Sequence, residues 1–186
     1  MNQFIFAGKS SKNFKIRIEK CPVIHTGQRA IEKITVPGRS GDLIFDTGAF
    51  ANYTQPYEIY FNAKCIGSAR GAAQIANWLL LPRGYQRLDD TYSPETYRMA
   101  SYIGPMEVEN WMLTFGRATI EFDCKPQRFL KSGEFPIKIQ SGQSLYNAWQ
   151  PALPLIQITG TGDGQLVVGK STVNITGMTG NLMLDS

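Results

Sequence analysis

Few residues in this chain combine a type and a spacing that could do chemistry. Leu43-Ile44-Phe45-Asp46-Thr47-Gly48-Ala49 places a carboxylate on a glycine-containing turn after an apolar run. Two such carboxylates, one from each of two copies, could share a proton and activate water, because like charges that close cannot both ionise. The rival explanation is local: Asp and Gly favour turns on their own account. His25 is the single histidine, so any Ser-His-Asp, Cys-His or multi-histidine metal centre would have to be built on it. Its setting, Val23-Ile24-His25-Thr26-Gly27, suits a surface or edge strand before a turn. Asp89-Asp90 and the pair Glu107 with Glu109 are carboxylate pairs of the kind that hydrolyse sugars or bind calcium, but no EF-hand spacing accompanies them. Asp89-Asp90 reads as a solvated turn, and Glu107 and Glu109 share a strand face where basic neighbours would meet them. Gly160-Thr161-Gly162-Asp163-Gly164 carries part of a dinucleotide-loop glycine pattern, yet a strand pattern follows it where a helix is required, so it reads as a hairpin turn. Cys21, Cys65 and Cys124 are odd in number and widely spaced, which argues against disulfides and metal knuckles and for small buried hydrophobes in a reducing compartment. No cofactor and no metal site is expected.

The composition is that of an ordinary soluble protein. At 186 residues the chain exceeds a domain of about 150 residues, so it holds one full domain and part of another. Hydrophobic residues make up 42% and charged residues 18%, and the glycine, tyrosine and phenylalanine content favours sheets and turns. A net charge of +4, with bases and acids interleaved, does not mark a nucleic-acid or membrane binder. The N-terminus shows no basic leader before a long apolar core, and no run approaches the roughly 20 apolar residues of a membrane span. Synthesis and folding in a cytoplasm are expected.

Strands must position these groups. Phe14, Ile16 and Ile18 alternate with polar residues, as do Tyr57, Ile59 and Phe61, and again Ala118, Ile120, Phe122 and Cys124. Ile31 to Val36 follows the pattern less cleanly, and Pro37-Gly38-Arg39-Ser40-Gly41-Asp42 is a turn or loop. Ala72, Ile75, Ala76 and Leu79 fall at helical spacing, with Trp78 widening the stripe, Ser68 as a cap and Pro82 as a stop, which predicts a packed helix over about 69–80. From Leu81 to Pro105 tyrosines and arginines mix over a length that suggests a strand pair reaching outward. Beyond Glu134 the only charged residues are Lys138, Asp163, Lys170 and Asp185, so the domains are drawn as 1–134 and 135–186. Leu155 to Thr159, Gln165 to Val168, Thr172 to Thr176 and Asn181 to Leu184 are short strand candidates in the second. Arginine and aromatic richness suits a protein interface, and it equally suits a sheet core with a charged surface.

Two resemblances bear on function. The Asp46-Thr47-Gly48 run resembles the signature of retroviral-type aspartic peptidases, with a loose echo of their apolar-Gly-Arg element in Phe115-Gly116-Arg117; that would make Asp46 catalytic in a dimer. The helix and the chain length fit that small barrel poorly. Phe6-Ala7-Gly8-Lys9-Ser10-Ser11, Val36-Pro37-Gly38-Arg39-Ser40-Gly41-Asp42, Gly84-Tyr85-Gln86-Arg87-Leu88-Asp89-Asp90, Tyr97-Arg98-Met99-Ala100 and Phe115-Gly116-Arg117 through Glu121-Phe122-Asp123-Cys124-Lys125-Pro126-Gln127-Arg128-Phe129 together resemble the distal tail protein family of siphophages that infect Gram-positive bacteria. The motifs occur in the family's order across the first 135 residues and continue less distinctively through Ala152-Leu153-Pro154-Leu155-Ile156.

That second resemblance implies a mainly β fold with one packed helix: a ring-forming, tail-tube-like β domain followed by the start of a galectin-like β-sandwich, shortened relative to the family. It implies a structural protein, not an enzyme, located at the virion tail tip and assembled in the host cytoplasm. The expected partners are further copies in a hexameric ring, the tail tube protein, the tail-associated hub protein and a receptor-binding protein, with DNA passing through without sequence readout and no membrane insertion. A closed ring needs heterologous contacts. Pro37, Gly38, Arg39 and Asp42, with Tyr85, Arg87, Tyr97, Arg98 and Tyr102, are the candidate contact residues because they join preset turns to Arg and Tyr anchors.

Overall fold

The computed structural model describes residues 2–62, 69–105, 108–110, 115–140, 142–145 and 152–185; the side chains of residues 69, 70, 72, 108–110 and 115 lie outside that description. The chain is mainly β with one helix, and it divides into two compact units, Met1–Pro136 and Ile137–Ser186. The first unit runs β1 (Phe4–Phe6), β2 (Lys9–Ser10), β3 (Ile16–Ile18), β4 (Arg29–Ile34), β5 (Leu43–Phe50), β6 (Tyr53–Asn62), α1 (Ala69–Leu80), β7 (Gln86–Asp90), β8 (Thr96–Ser101), β9 (Val108–Asn110) and β10 (Phe115–Leu130). Among the described residues, eight of these strands make one antiparallel sheet in the order β2-β1-β7-β8-β10-β6-β3, with β9 beside the start of β10. The Ile18 N–H donates to the Asn2 carbonyl at 3.0 Å, so the far edge of the sheet returns to the stretch before β1 and the sheet curls on itself.

The alternation in the sequence becomes the inside of that curl. Tyr53, Gln55, Tyr57, Ile59 and Phe61 of β6 and Ile120, Phe122 and Cys124 of β10 are all buried. Pro56 interrupts the pattern at no cost to the ladder. The Glu58 carbonyl accepts from the Glu19 N–H on the β3 side, so Pro56 turns its nitrogen to the same side, past the end of β3.

Phe122 is the hub of the core. Its ring centroid lies 4.9 Å from Phe6, 5.7 Å from Phe4, 5.8 Å from Tyr102 and 6.0 Å from Tyr57, mostly edge-on, the arrangement that aromatic quadrupoles favour. The helix closes the curl with Ile75, Trp78 and Leu79 buried. Trp78 stacks on Phe14 at 4.3 Å and Phe4 at 5.5 Å, and its indole N–H donates to the Phe6 carbonyl at 3.0 Å. The helix thus packs where its apolar stripe requires. Its predicted cap, Ser68, and the Cys65, Glu107 and Trp111 positions lie outside the described residues, as do the side chains of Ala72 and Glu109.

Three expectations are corrected. The segment from Tyr85 to Tyr102 does not reach outward: β7 and β8 are interior strands, flanked by β1 and β10. Asp89 and Asp90 are not a solvated turn but lie at the end of β7, at 9% and 7% exposure. Gly160 to Gly164 is not a hairpin turn. It runs inside β11 (Leu155–Val168), which pairs along its length with β12 (Ser171–Asp185), so the four short strand candidates are two long ones joined at Gly169-Lys170. Glycine composition alone misleads here because a β-bulge between Gly162 and Gly164 absorbs the irregularity without ending the strand.

A second ribbon, β4 with β5, stands apart from the large sheet in pairing. The connection into it is tacked along β6 and β10: Gln55 Nε2 donates to the Val23 carbonyl at 3.0 Å and an Arg128 guanidinium N–H to the His25 carbonyl at 2.9 Å. Gly27 is required at the crossing, since a Cβ there would lie 2.6 Å from the Ala51 carbonyl oxygen and 2.8 Å from Pro126 Cβ. Replacing Phe122 with Ala should lower stability by roughly 3–5 kcal/mol in a denaturant titration followed by tryptophan fluorescence. The change Val23→Ala, at a site 67% exposed, should stay within about 0.5 kcal/mol.

Candidate functional site

The nine candidate contact residues separate into three environments. Pro37, Gly38, Arg39 and Asp42 sit together, all exposed, at the tip of the β4–β5 ribbon. The tip is a built turn: the Arg39 N–H donates to the Val36 carbonyl at 3.2 Å, and Thr35 Oγ1 donates to Asp42 Oδ1 at 2.8 Å across the base.

Tyr85, Arg87 and Tyr97 lie on the sheet, half-buried, and each is already engaged within the subunit. The Tyr85 hydroxyl donates to Asp123 Oδ2 at 2.9 Å and accepts from Asn52, while Lys125 Nζ stands 4.9 Å from the ring centre. The hydrogen bond to the carboxylate pushes the Tyr85 pKa up. Arg87 Nε donates to Asp89 Oδ2 at 2.8 Å, its other arm reaches Glu134, and its guanidinium lies 4.0 Å from the centre of the Tyr97 ring. Tyr97 in turn stacks on Phe129 at 5.2 Å, and Lys131 Nζ pairs with Asp89 Oδ1 at 2.8 Å. This exposed-to-half-buried network ties β7, β8 and the end of β10 to the turn that precedes the second unit.

Arg98 and Tyr102 are corrected as surface anchors. Arg98 is 4% exposed and Tyr102 7%, so neither can reach a neighbouring molecule. Arg98 donates to Asp90 Oδ2 at 2.7 Å and to the Tyr57 hydroxyl at 2.9 Å, and that hydroxyl donates to the same Asp90 oxygen at 2.8 Å. Asp90 Oδ1 accepts from the Tyr92 and Ser93 N–H groups at 2.9 and 2.7 Å, closing the turn between β7 and β8. Burial, with the Asp90 charge adding to it, pushes the Tyr57 pKa far up, so Tyr57 stays a neutral donor. Burial likewise pushes the Cys124 thiol up to about 12, so it is not a thiolate nucleophile near neutral pH.

Asp46 lies within β5, on the same ribbon as the tip loop. The Gly48 N–H donates to Asp46 Oδ1 at 2.9 Å and Arg29 pairs with Oδ2, and these hold its pKa below the usual carboxylate range. Gly48 supplies the positive φ of 75° that brings its N–H to the carboxylate. This is the reverse of the environment a shared-proton carboxylate pair needs, in which one carboxyl must stay protonated.

Two features escaped the sequence reading. The flanks of the ribbon tip carry exposed Ile31, Ile34, Leu43, Ile44, Phe45 and Phe50, with Ile44 and Phe45 at 63% and 62%. Neighbouring residues face opposite sides, so both faces are partly apolar and the period-two signal disappears. A groove of about 420 Å³ at the β3 edge is lined by Lys12, Lys15, Ile16, Arg17, Tyr60, Phe61 and Asn62. The run of Lys9, Lys12, Lys15 and Arg17 without an acid before Glu19 signals it in the sequence. Among the described residues no group of three or more His, Cys, Asp or Glu side chains could hold a metal ion, and no helix is long and apolar enough to cross a membrane.

The fold defined by this curled, helix-backed sheet with its appended β unit has a counterpart among solved structures. The chain is similar to the crystal structure of SPP1 Dit (gp 19.1), described as a paradigm of the hub adsorption apparatus in phages infecting Gram-positive bacteria. The likeness covers 100% of this chain and 79% of that one with a TM-score of 0.64, at 11% sequence identity. No protein-family model and no curated protein matches the sequence.

Asp90→Asn should destabilise the chain by about 3–5 kcal/mol in denaturant titration, because it leaves the Arg98 charge buried without its partner. A second expectation concerns acid. Burial raises the Asp89 pKa, but hydrogen bonds from Arg87 and Lys131 outweigh it and the net shift is downward. A depressed carboxylate stabilises the fold above its unfolded pKa of about 3.9 and loses that contribution as pH falls through the folded value. The acid limb of stability against pH, measured below about pH 4, should therefore be shallower in Asp89→Asn than in the unmodified chain.

Proposed function

We propose that the chain is a structural component of a phage tail tip, a distal tail protein that joins the tail tube to the tail-tip hub or baseplate. The observation that carries this reading is the fold likeness to SPP1 Dit along the whole chain, reached independently of the ordered motifs that resemble the same family. In this reading residues 1–134 form a ring with further copies, six in the family's arrangement, and residues 135–186 form a galectin-like part. One face of the ring docks the tail tube protein and the other the hub protein; a receptor-binding protein can attach at the periphery. DNA passes through the ring without sequence readout. The protein acts at the virion tail tip after assembly in the host cytoplasm, and it catalyses nothing.

The β4–β5 ribbon is the part of the first unit best suited to contact a neighbouring copy. A two-stranded ribbon is marginal in water by itself, and this one carries six exposed apolar side chains together with the Pro37 to Asp42 tip. Packing the ribbon on a neighbour would bury those side chains in a heterologous contact of the kind a ring requires. Tyr85, Arg87 and Tyr97 would act behind it, keeping β7, β8 and β10 in register.

Native mass measurement over a range of concentrations tests the reading. The expected result is a closed assembly of several copies, formed by the chain alone or with the tube and hub proteins present. The change Phe45→Asp should weaken that assembly at least tenfold while the thermal melt of the first unit stays the same. A chain that remains monomeric in every mixture would sink the proposal, and assembly indifferent to Phe45→Asp would remove the ribbon from it.

A further inference from the structure

The chain carries its net charge in one place. Residues 1–18 hold Lys9, Lys12, Lys15 and Arg17 and no acid, which accounts for the whole formal +4 and leaves 15 bases against 15 acids over residues 19–186. The interleaving of bases and acids therefore holds for the rest of the chain and fails here. The fold gathers three of the four cations. Lys12 belongs to the short helical turn Ser11–Phe14, Lys15 caps that turn, Arg17 lies in β3, and all three line the groove of about 420 Å³ at the β3 edge. Among the described residues no acidic side chain lines it. The carboxylates beside β3 are already engaged, Glu19 with Arg117 and Glu58 with Lys20. Lys15 and Arg17 are exposed, and among the described residues neither has a carboxylate partner.

Two details of the groove bear on its ligand. Lys15 closes its turn at a φ of 60°, with its N–H donating to the Lys12 carbonyl at 2.9 Å. Glycine adopts that left-handed conformation without a steric cost, so a lysine there stands against backbone preference, and its side chain lines the groove. The strand register places Tyr60 between Arg17 and Arg117 on the outer face, while Ile16, Ile18, Ile59 and Phe61 are buried on the inner one.

We infer that this groove is a contact site for the phosphate backbone of duplex DNA. A protein partner fits it poorly. Interface cores are depleted in lysine and are built on aromatic or apolar anchors, and none of the exposed large apolar side chains lines this groove. Strand addition is not served either: Ile16 is 0% exposed, so the groove offers side-chain cations in place of free ladder groups. A duplex carries one charge about every 1.7 Å along its axis, so several cations meet phosphates together in any register. A tyrosine hydroxyl such as that of Tyr60 is a further donor of the kind that phosphate accepts from. Such contacts carry no sequence information. The inference rests on the tail reading only for the source of the DNA, the genome that a tail conducts; binding of a duplex in solution needs no ring.

Fluorescence anisotropy of a labelled duplex, titrated with the full chain at several salt concentrations, tests the site. Two unrelated sequences should bind equally, and log K should fall against log[salt] with a slope of about −2.7, as for three neutralised phosphates. Lys15→Glu combined with Arg17→Glu should weaken binding on the order of tenfold or more and remove about two-thirds of that slope. Lys138→Glu combined with Lys170→Glu, both outside the groove, takes the net charge through the same change, from +4 to 0, and should leave affinity within about threefold. Lys15→Gly, which relieves the left-handed backbone, should melt no lower than the unmodified chain and still bind the duplex more weakly, separating the contact from folding. Equal losses from the two double variants, or no binding at about 50 mM salt, would overturn the site. Polyglutamate of the same total charge competing as well as the duplex would give the groove to an acidic protein and overturn it too. None of these failures touches the tail reading, which stands or falls on assembly.

Discussion

The contact on which the first unit depends is the buried group of Arg98, Asp90 and Tyr57. It joins three strands that are not all neighbours: Asp90 ends β7, Arg98 lies in β8, and Tyr57 lies in β6 on the far side of β10. The other oxygen of the same Asp90 carboxylate holds two backbone N–H groups of the connecting turn. An ion pair this deep is costly to desolvate, and it is tolerated because the Asp90 carboxylate is met by four donors, the Arg98 and Tyr57 side chains and two backbone N–H groups, with a further bond from Arg98 to the Tyr57 hydroxyl completing the arrangement. It adds a directional side-chain tie across the curl, between strands whose registers the ladders to β10 already fix, where the hydrophobic contacts around Phe122 are non-directional.

Around that anchor the molecule sorts its charges by depth. Asp89, one residue before Asp90, points the opposite way and organises Arg87, Lys131 and, through Arg87, Glu134 near the surface. Adjacent residues in a strand face opposite sides, so two neighbouring aspartates become a core ion pair and a surface network. The network keeps Tyr97 and Phe129 stacked and holds the last turn of the first unit against the sheet.

The two ribbons differ from this body in what they expose. The large sheet buries its apolar face against α1 and its own curl, whereas β4–β5 exposes Ile44 and Phe45 and β11–β12 exposes Leu155, Val167 and Met183. Exposed apolar side chains of this kind on the β4–β5 ribbon are the feature that the proposed assembly would use.

The sequence by itself determined the mainly β class, the helix at Ala69–Leu80, the core positions of β6 and β10 and the exposed turn from Pro37 to Asp42. Each follows from local periodicity or turn chemistry, which neighbours in the chain suffice to specify. Only the tertiary structure decided that Arg98 and Tyr102 are interior while Arg87 is near the surface, that Asp89 and Asp90 part ways, and that glycine-rich residues 160–164 continue a strand. An arginine or a tyrosine has the same local signature at an interface and in a core. Which one it occupies depends on whether a carboxylate far along the chain arrives to pair with it, and that is settled by strand order and register.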